Sequence, residues 1–439
     1  MMFEQVVVVS VFTLVFLAII TEKLDKTLVA LFGALFLIST GFIEFEEAVD
    51  AVDFNTICLL MGMMLIVETL SEVQIFRWSA LKLGLLTKGN PVLIFFLFGL
   101  STAVFSAFLD NVTTVLIIVP LVITLTEGIG LPATPFVMTV IFLSNIGGTA
   151  TMIGDPPNII IGSQVEHLTF MSFIQYLTLP VVVSSLLVML YILYKNRSTI
   201  KSRNSSFSWL FMSNLMLEDM YCELEELKIP RSHAVKSLSI FGLVLLFFFS
   251  HNITHLEPSV VALSGAVLML IAFHKELNLH HLIAKVEWPT LLFFAGLFVI
   301  VGALEHAGVL KIVSHSLVSI TDNFLLLVLI VLWASAMFSA VVDNIPFVAV
   351  MIPVLKDLLS SGAFSHEPKS QLIWWALALG ACFGGNGTLI GASANVVSVA
   401  IAKTKGLTIT FKDFLKDSIP ATVITLLVST AYIVFLYYL

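Results

Sequence analysis

Apolar runs of roughly 17–20 residues alternate with short polar breaks along this chain, a length that fits the hydrocarbon core of a bilayer. The pattern predicts spans over about 5–21, 27–43, 54–71, 136–162 and 174–194, then over about 237–250, 258–273, 289–304, 373–402 and 419–438. Two stretches do not fit a single crossing. Residues 91–126 carry one charge, Asp110, and residues 324–355 carry one, Asp343. As one helix the first would be about 54 Å long, against a core of about 30 Å. Two full crossings would need a polar loop at a surface, and the only polar break is an Asp-Asn pair at the middle of each stretch. Each is therefore expected to be a re-entrant helical hairpin with its tip near mid-membrane, where irregular backbone is tolerated if buried in protein or facing a water-filled cavity.

The two halves match. VALFGA (29–34) answers VALSGA (261–266); Thr56, Gly62 and Leu70 answer Thr290, Gly296 and Leu304 at a shift of 234. The hairpins, SAFLDNVTTVLIIVP (106–120) and SAVVDNIPFVAVMIP (339–353), match at a shift of 233, and GGTATMIGDPPN (147–158) answers GGNGTLIGASAN (384–395) at 237. Four blocks in one order make an internal repeat. Five crossings per half, an odd number, require the second half to enter from the opposite side. The loops at 22–26, 72–90, 126–135, 195–236, 274–288 and 403–418 then share one side and hold 18 of the 21 Lys and Arg residues. By the positive-inside rule that side is cytoplasmic, with both termini outside. The expected organisation is an N-terminal repeat, 1–195, a cytoplasmic linker, 196–235, and an inverted C-terminal repeat, 236–439. The fold class is an all-α polytopic membrane protein of about ten crossings, with two re-entrant hairpins and two broken helices, in the cell inner (plasma) membrane. Inverted repeats with discontinuous helices are a mark of secondary transporters.

Composition agrees: 59% of the 439 residues are hydrophobic, 11% are charged, and mean hydropathy is +1.05, against about 25% charged in soluble domains. Cys58, Cys222 and Cys382 lie too far apart to suggest disulfides or a metal cluster. The start, MMFEQVVVVS, has no basic residue before its apolar run and reads as a retained first helix. No phosphate-cradling GxxxxGK[ST] loop and no nucleophile–base set stands out, which argues against an ATPase or other enzyme, and no cofactor or nucleic-acid partner is expected. In the linker, Leu210, Leu217, Met220, Leu224 and Leu227 fall at helical spacing, so part of it is expected along the cytoplasmic interface.

The chemistry concentrates at the hairpin tips and the breaks. Each acid at mid-depth costs roughly 2.5–3.5 kcal/mol on insertion scales, which Asp110, Asp343 and Asp155 repay only by function or by capping buried backbone. Asn111 and Asn344 offer amides for an ion or for solute hydroxyls, and Thr113 fits the same role. Gly147, Gly148 and Gly154 permit unwound backbone, and Asp155 before Pro156 reads equally well as an N-cap or a functional acid. The second break has Gly384, Gly385, Asn386, Gly387, Gly391 and Asn395, with Ala392 in place of the acid. Three acids with no buried Lys or Arg argue against an anionic substrate. They favour a cation, a proton, or a neutral polyhydroxyl solute exchanged for protons. Glu68 is a minor candidate for a proton path, and Cys382 reads as a small apolar helix residue.

SAFLDNVTTV followed by NIGGTATMIGDPPN resembles the ArsB/NhaD group within the ion transporter superfamily, closest to the branch that includes the melanosomal P protein. The resemblance implies a homodimer with a mobile unit of hairpins and broken helices moving like an elevator. It places the substrate or ion site at Asp110, Asn111, Thr113, Asp155, Asn158, Asp343, Asn344, Asn386 and Asn395. The leading expectation is a proton-coupled exporter of arsenite or antimonite, the trihydroxide being held by Asn111, Asn344 and Asn386. The alternative is a sodium/proton antiporter. The Asp-Asn order at the hairpin tip departs from the Asn-Asp of typical arsenite exporters.

Overall fold

The computed structural model describes residues 2–21, 23–165, 167–201, 207–227, 229–361, 364 and 367–439. The first apolar runs form helices α1 (Met2–Ile20), α2 (Lys26–Ser39), α3 (Phe45–Asp50), α4 (Phe54–Glu72) and α5 (Ile75–Leu86). A hairpin follows, α6 (Pro91–Ser106) and α7 (Asn111–Gly128), then a helix broken into α8 (Thr134–Gly148) and α9 (Pro156–Gln164), and then α10 (Phe170–Lys195). The linker holds α11 (Arg197–Lys201) and α12 (Phe207–Glu226). The second half runs α13 (Arg231–Phe249), α14 (His251–Thr254), α15 (Pro258–Ala272), α16 (Leu279–Ala284), α17 (Trp288–His306) and α18 (Val309–Ile320). It ends with the hairpin α19 (Phe324–Val341) and α20 (Asn344–Ser361), the broken helix α21 (Leu372–Gly384) and α22 (Ser393–Thr404), and α23 (Phe411–Tyr438).

Several helices start where the sequence supplies a cap. Asp25 accepts from the Thr27 and Leu28 amides ahead of α2, Asp53 from Asn55 and Thr56 ahead of α4, and Asn90 from Val92 and Leu93 ahead of α6, where Pro91 fits the first turn. Among the described residues eight helices are long and apolar enough to cross a membrane, and α2, α6, α8, α15 and α21 are shorter apolar helices. The expected spans correspond to these helices, and the two broken spans to α8–α9 and α21–α22. Unforeseen are four short helices, α3, α5, α16 and α18, of 6–12 residues.

Packing follows the repeat. α2 lies on α17 and α15 on α4; α6 lies on α8 and α19 on α21; α7 lies on α22 and α20 on α9. The first two contacts are backbone-close: a Cβ on Gly62 would stand 2.7 Å from the Ala262 carbonyl carbon, and one on Gly296 2.9 Å from that of Ala30. In the linker, Met220 is buried over Gly84 of α5, and Arg77 Nη2 lies 2.5 Å from Glu223 Oε1. The helical spacing of that segment thus serves a contact with α5 and α7; the side chain of Leu210 lies outside the described residues.

Candidate substrate and ion site

Each hairpin tip is pressed into the break of its own half by matching hydrogen bonds. Ser106 Oγ donates to the Ser144 carbonyl at 2.6 Å, and Ser339 Oγ to the Ala381 carbonyl at 2.5 Å. Thr151 Oγ1 donates to the Ala107 carbonyl and Thr388 Oγ1 to the Ala340 carbonyl. These are equivalent positions at the repeat shifts of 233 and 237. None of the seven glycines at the breaks has a positive φ, so a left-handed backbone is not their purpose. Close approach is: a Cβ on Gly147 would stand 2.3 Å from the Ala103 carbonyl oxygen, and one on Gly384 2.5 Å from that of Ala336. Gly148, Gly154, Gly385 and Gly391 line the same seams, with Asn111, Ser106, Ala392 and Ser339 against them.

A row of buried amides holds the two halves together. Asn158 Nδ2 donates to the Thr149 and Thr151 carbonyls at 3.0 and 2.9 Å, and Asn395 Nδ2 to the Gly385 and Thr388 carbonyls at 2.8 and 2.9 Å. Each thereby ties down the irregular backbone of its own break. Asn145 then crosses over, donating to Asn386 Oδ1 at 2.8 Å and Asn395 Oδ1 at 2.9 Å. Asn386 Nδ2 donates to the Phe142 carbonyl at 3.2 Å. At the position equivalent to Asn145 in the second half, Cys382 Sγ lies 3.6 Å from Asn158 Oδ1. The Asn111 amide closes the row, 3.2 Å from Asn145 Oδ1 and 2.7 Å from Ser106 Oγ; turned end for end, it donates to Ser106 and to the Gly154 carbonyl. Sequence reasoning misses Asn145, although an uncapped polar residue in the middle of the apolar run FLSNIGG is the available signal.

Beside this seam lies a cavity of about 560 Å3. It gathers Asp110, Asn111, Thr113, Asp155, Asp343 and Asn344 from the expected site. Asn158, Asn386 and Asn395 do not reach it; all three are fully buried in the amide row. The three aspartates differ. Asp110 caps α7, accepting from the Thr113 amide at 2.9 Å. Asp155 precedes α9 with an extended backbone and makes no side-chain cap hydrogen bond. It is 2% exposed, its Oδ1 lies 3.5 Å from Asn344 Nδ2, and its Oδ2 has no hydrogen-bond partner among the described residues. The capping explanation of Asp155 is therefore not supported by its geometry.

Asp343 differs again, because a cation stands against it. Lys26 Nζ lies 2.5 Å from Asp343 Oδ2. The hydropathy pattern puts Lys26 in a surface loop and leaves no basic group among the acids; the structure corrects this. With Asp25 as cap, Lys26 opens α2, and its long stem carries the ammonium into the cavity. Lys285 also lines the cavity, where it pairs with Glu68 at 2.5 Å and with Glu72. Glu287 completes the charged wall, accepting from Thr290 Oγ1 at 3.0 Å. Five acids thus face two lysines, both already paired. Lys26 opens α2, Lys285 ends α16 and Glu287 precedes α17, so the cavity extends from the seam toward these helix ends.

Comparisons with known proteins agree with this architecture. An uncharacterized transporter of Mycobacterium tuberculosis is 36% identical over 434 residues, covering 98% of both chains. The 46 kDa membrane protein of Mycobacterium leprae is 35% identical over 434 residues with the same coverage. The human P protein is 32% identical over 498 residues, covering 95% of this chain and 58% of the P protein, so the chain spans about three-fifths of that relative. Among solved structures, the Alcanivorax borkumensis YdaH transporter shares the fold, with a TM-score of 0.59, 12% identity, and 99% and 98% of the two chains covered. A family model described as citrate transporter matches residues 16–380. The P protein branch of the expected resemblance is thus found among the relatives, while the family named is not the ArsB/NhaD group. The chain is a multi-pass membrane transporter belonging to the citrate transporter family.

Proposed function

We propose that this protein is a proton-coupled secondary transporter in which the cavity acids bind a small cation and protons alternately, exchanging sodium or a similar ion for protons. The observation that carries the reading is Asp155, a buried carboxylate with one oxygen unpartnered, sharing a cavity with Asp110 and Asp343. A buried carboxylate oxygen left without a partner is costly and is most easily accounted for when a ligand completes it. The matched seams support two repeats, 1–195 and 236–439, joined by the linker 196–235, with the Lys/Arg-rich side cytoplasmic in the plasma membrane. In this reading the hairpins and broken helices move as one unit past α2, α4, α15 and α17, in a homodimer, and the cavity belongs to the inward-facing state.

Export of arsenite or antimonite is the second reading, as for ArsB/NhaD-type exporters. The amides of Asn111 and Asn344 and the Thr113 hydroxyl at the cavity support it, since they could meet the hydroxyls of a trihydroxide. It drops behind cation exchange because Asn386, the third expected donor, is sealed in the amide row. The family name points to citrate; an excess of acids over lysines opposes a bare tricarboxylate here.

Proteoliposomes with an internal pH-sensitive dye and an imposed proton gradient test these readings, given sodium, lithium, arsenite, antimonite or citrate separately. Proton movement with sodium or lithium alone is expected. A response to arsenite or antimonite alone would install the second reading, and a response to citrate alone would overturn both.

A further inference from the structure

The two hairpin tips are not equivalent. Asp110 and Asp343 occupy matching positions and line one cavity, yet only Asp343 has an ammonium 2.5 Å away. The shift of 232 that carries VALFGA onto VALSGA places Pro258 opposite Lys26, so the repeat offers no equivalent cation for Asp110. The pair also joins different helix groups: Lys26 opens α2, which packs on α17, whereas Asp343 lies between α19 and α20, and α19 packs on α21. Lys26 is partly exposed, at 31% of its side chain, and Asp343 at 15%. The Lys26 ammonium also lies 5.2 Å from the ring centroid of Phe293 on α17. The other charged groups nearby are Asp25, engaged as the α2 cap, and Glu287, Asp110 and Asp155 across the cavity. A tethered ammonium in a wall of acids is a cation that the protein carries with it.

Resting on the cation-exchange reading above, we propose that Lys26 is an internal competitor for the transported ion: its ammonium occupies Asp343 in the empty carrier, and cargo binds there only by displacing it. The tether gives Lys26 an effective concentration at Asp343 in the millimolar range or above. Cargo affinity is therefore lowered, and an empty site is not left with an uncompensated carboxylate. Selectivity follows as well, because a cation must offer Asp343 more than a charge-assisted hydrogen bond from an ammonium does.

The test is sodium-dependent proton flux in proteoliposomes, with sodium-dependent thermal stabilisation of the detergent-solubilised protein as a binding readout that needs no transport. Both are measured for the wild type, Lys26→Gln, Lys26→Arg, Asp343→Asn and the Lys26→Gln/Asp343→Asn double variant. Lys26→Gln is expected to lower the half-saturating sodium concentration about tenfold or more, while Lys26→Arg stays near the wild type or above it. In the Asp343→Asn background, removal of Lys26 is expected to have no such effect. A wild-type protein that responds to sodium, with an unchanged half-saturation in Lys26→Gln, overturns the competition alone. A wild-type protein with no sodium dependence in either assay overturns the reading of the site and the competition with it. If Lys26→Gln fails to fold, an increased half-saturation in Lys26→Arg supports the proposal, because a guanidinium holds a carboxylate more firmly, and a decreased one overturns it.

Discussion

Asp155 stands at a helix start without capping it, and that separates it from Asp110, which does cap. Replacing Asp155 by Asn keeps the shape and removes a buried charge with no counter-ion beside it. We expect Asp155→Asn to fold with a thermal midpoint equal to or above the wild type, and to lose coupled flux at least tenfold. A lower midpoint in detergent would instead make the charge structural. Asn145 gives the opposite expectation. Asn145→Ala strips donors from Asn386 and Asn395 and leaves buried oxygens unsatisfied, a loss on the order of 2–4 kcal/mol. Thermal unfolding should show it as a large fall in midpoint. Asp110 and Asp343 are legible in the sequence because each is the single charge in a long apolar run. Lys26 is not, since one residue decides whether it ends a loop or opens a helix. No linear pattern says which hairpin tip its ammonium will meet.

At the scale of elements, the seams between hairpin and broken helix are set by small residues on both sides. A methyl group on Gly147 has no space against the Ala103 backbone, and overpacking of this kind costs about 1–3 kcal/mol. Gly242, inside α13, has nothing within 4 Å of the point where a Cβ would sit. Gly147→Ala should therefore lower the unfolding midpoint, while Gly242→Ala should leave it unchanged or raise it, helix propensity adding up to about 1 kcal/mol of stability. Equal effects at the two positions would contradict the close approach. Hydropathy finds the hairpins because their lengths fit neither one crossing nor two, and the glycines with Pro156 mark the broken spans. It does not find α3, α5, α16 and α18, whose 6–12 residues are too few for a span. Repetition gives the glycines away; their reason, backbone against backbone, needs the packed partners to be seen.

For the whole molecule, the distribution of Lys and Arg predicts which side the linker faces. Cys222 lies exposed on α12, whereas Cys382 is fully buried. In a Cys58→Ser background, a membrane-impermeant maleimide should label Cys222 in inverted vesicles and leave intact cells unlabelled. Labelling of intact cells would reverse the orientation. The order of the helices can be read from the chain because the bilayer fixes their length. The cross-connection of the halves cannot be, since the Asn145 to Asn395 contact spans 250 positions in sequence.

The glycine seams have a mechanical consequence. With Ala103 against Gly147 and Ala336 against Gly384, neither hairpin can lift like a trapdoor without tearing its hydrogen bonds to the helix beside it. In the proposed mechanism a solute is then carried by sliding hairpins and broken helices together past surrounding lipid, so the bilayer contributes to the friction of that slide. Turnover should accordingly change with acyl-chain length and fluidity even where binding does not, a dependence readable by reconstituting one preparation into lipids of graded thickness.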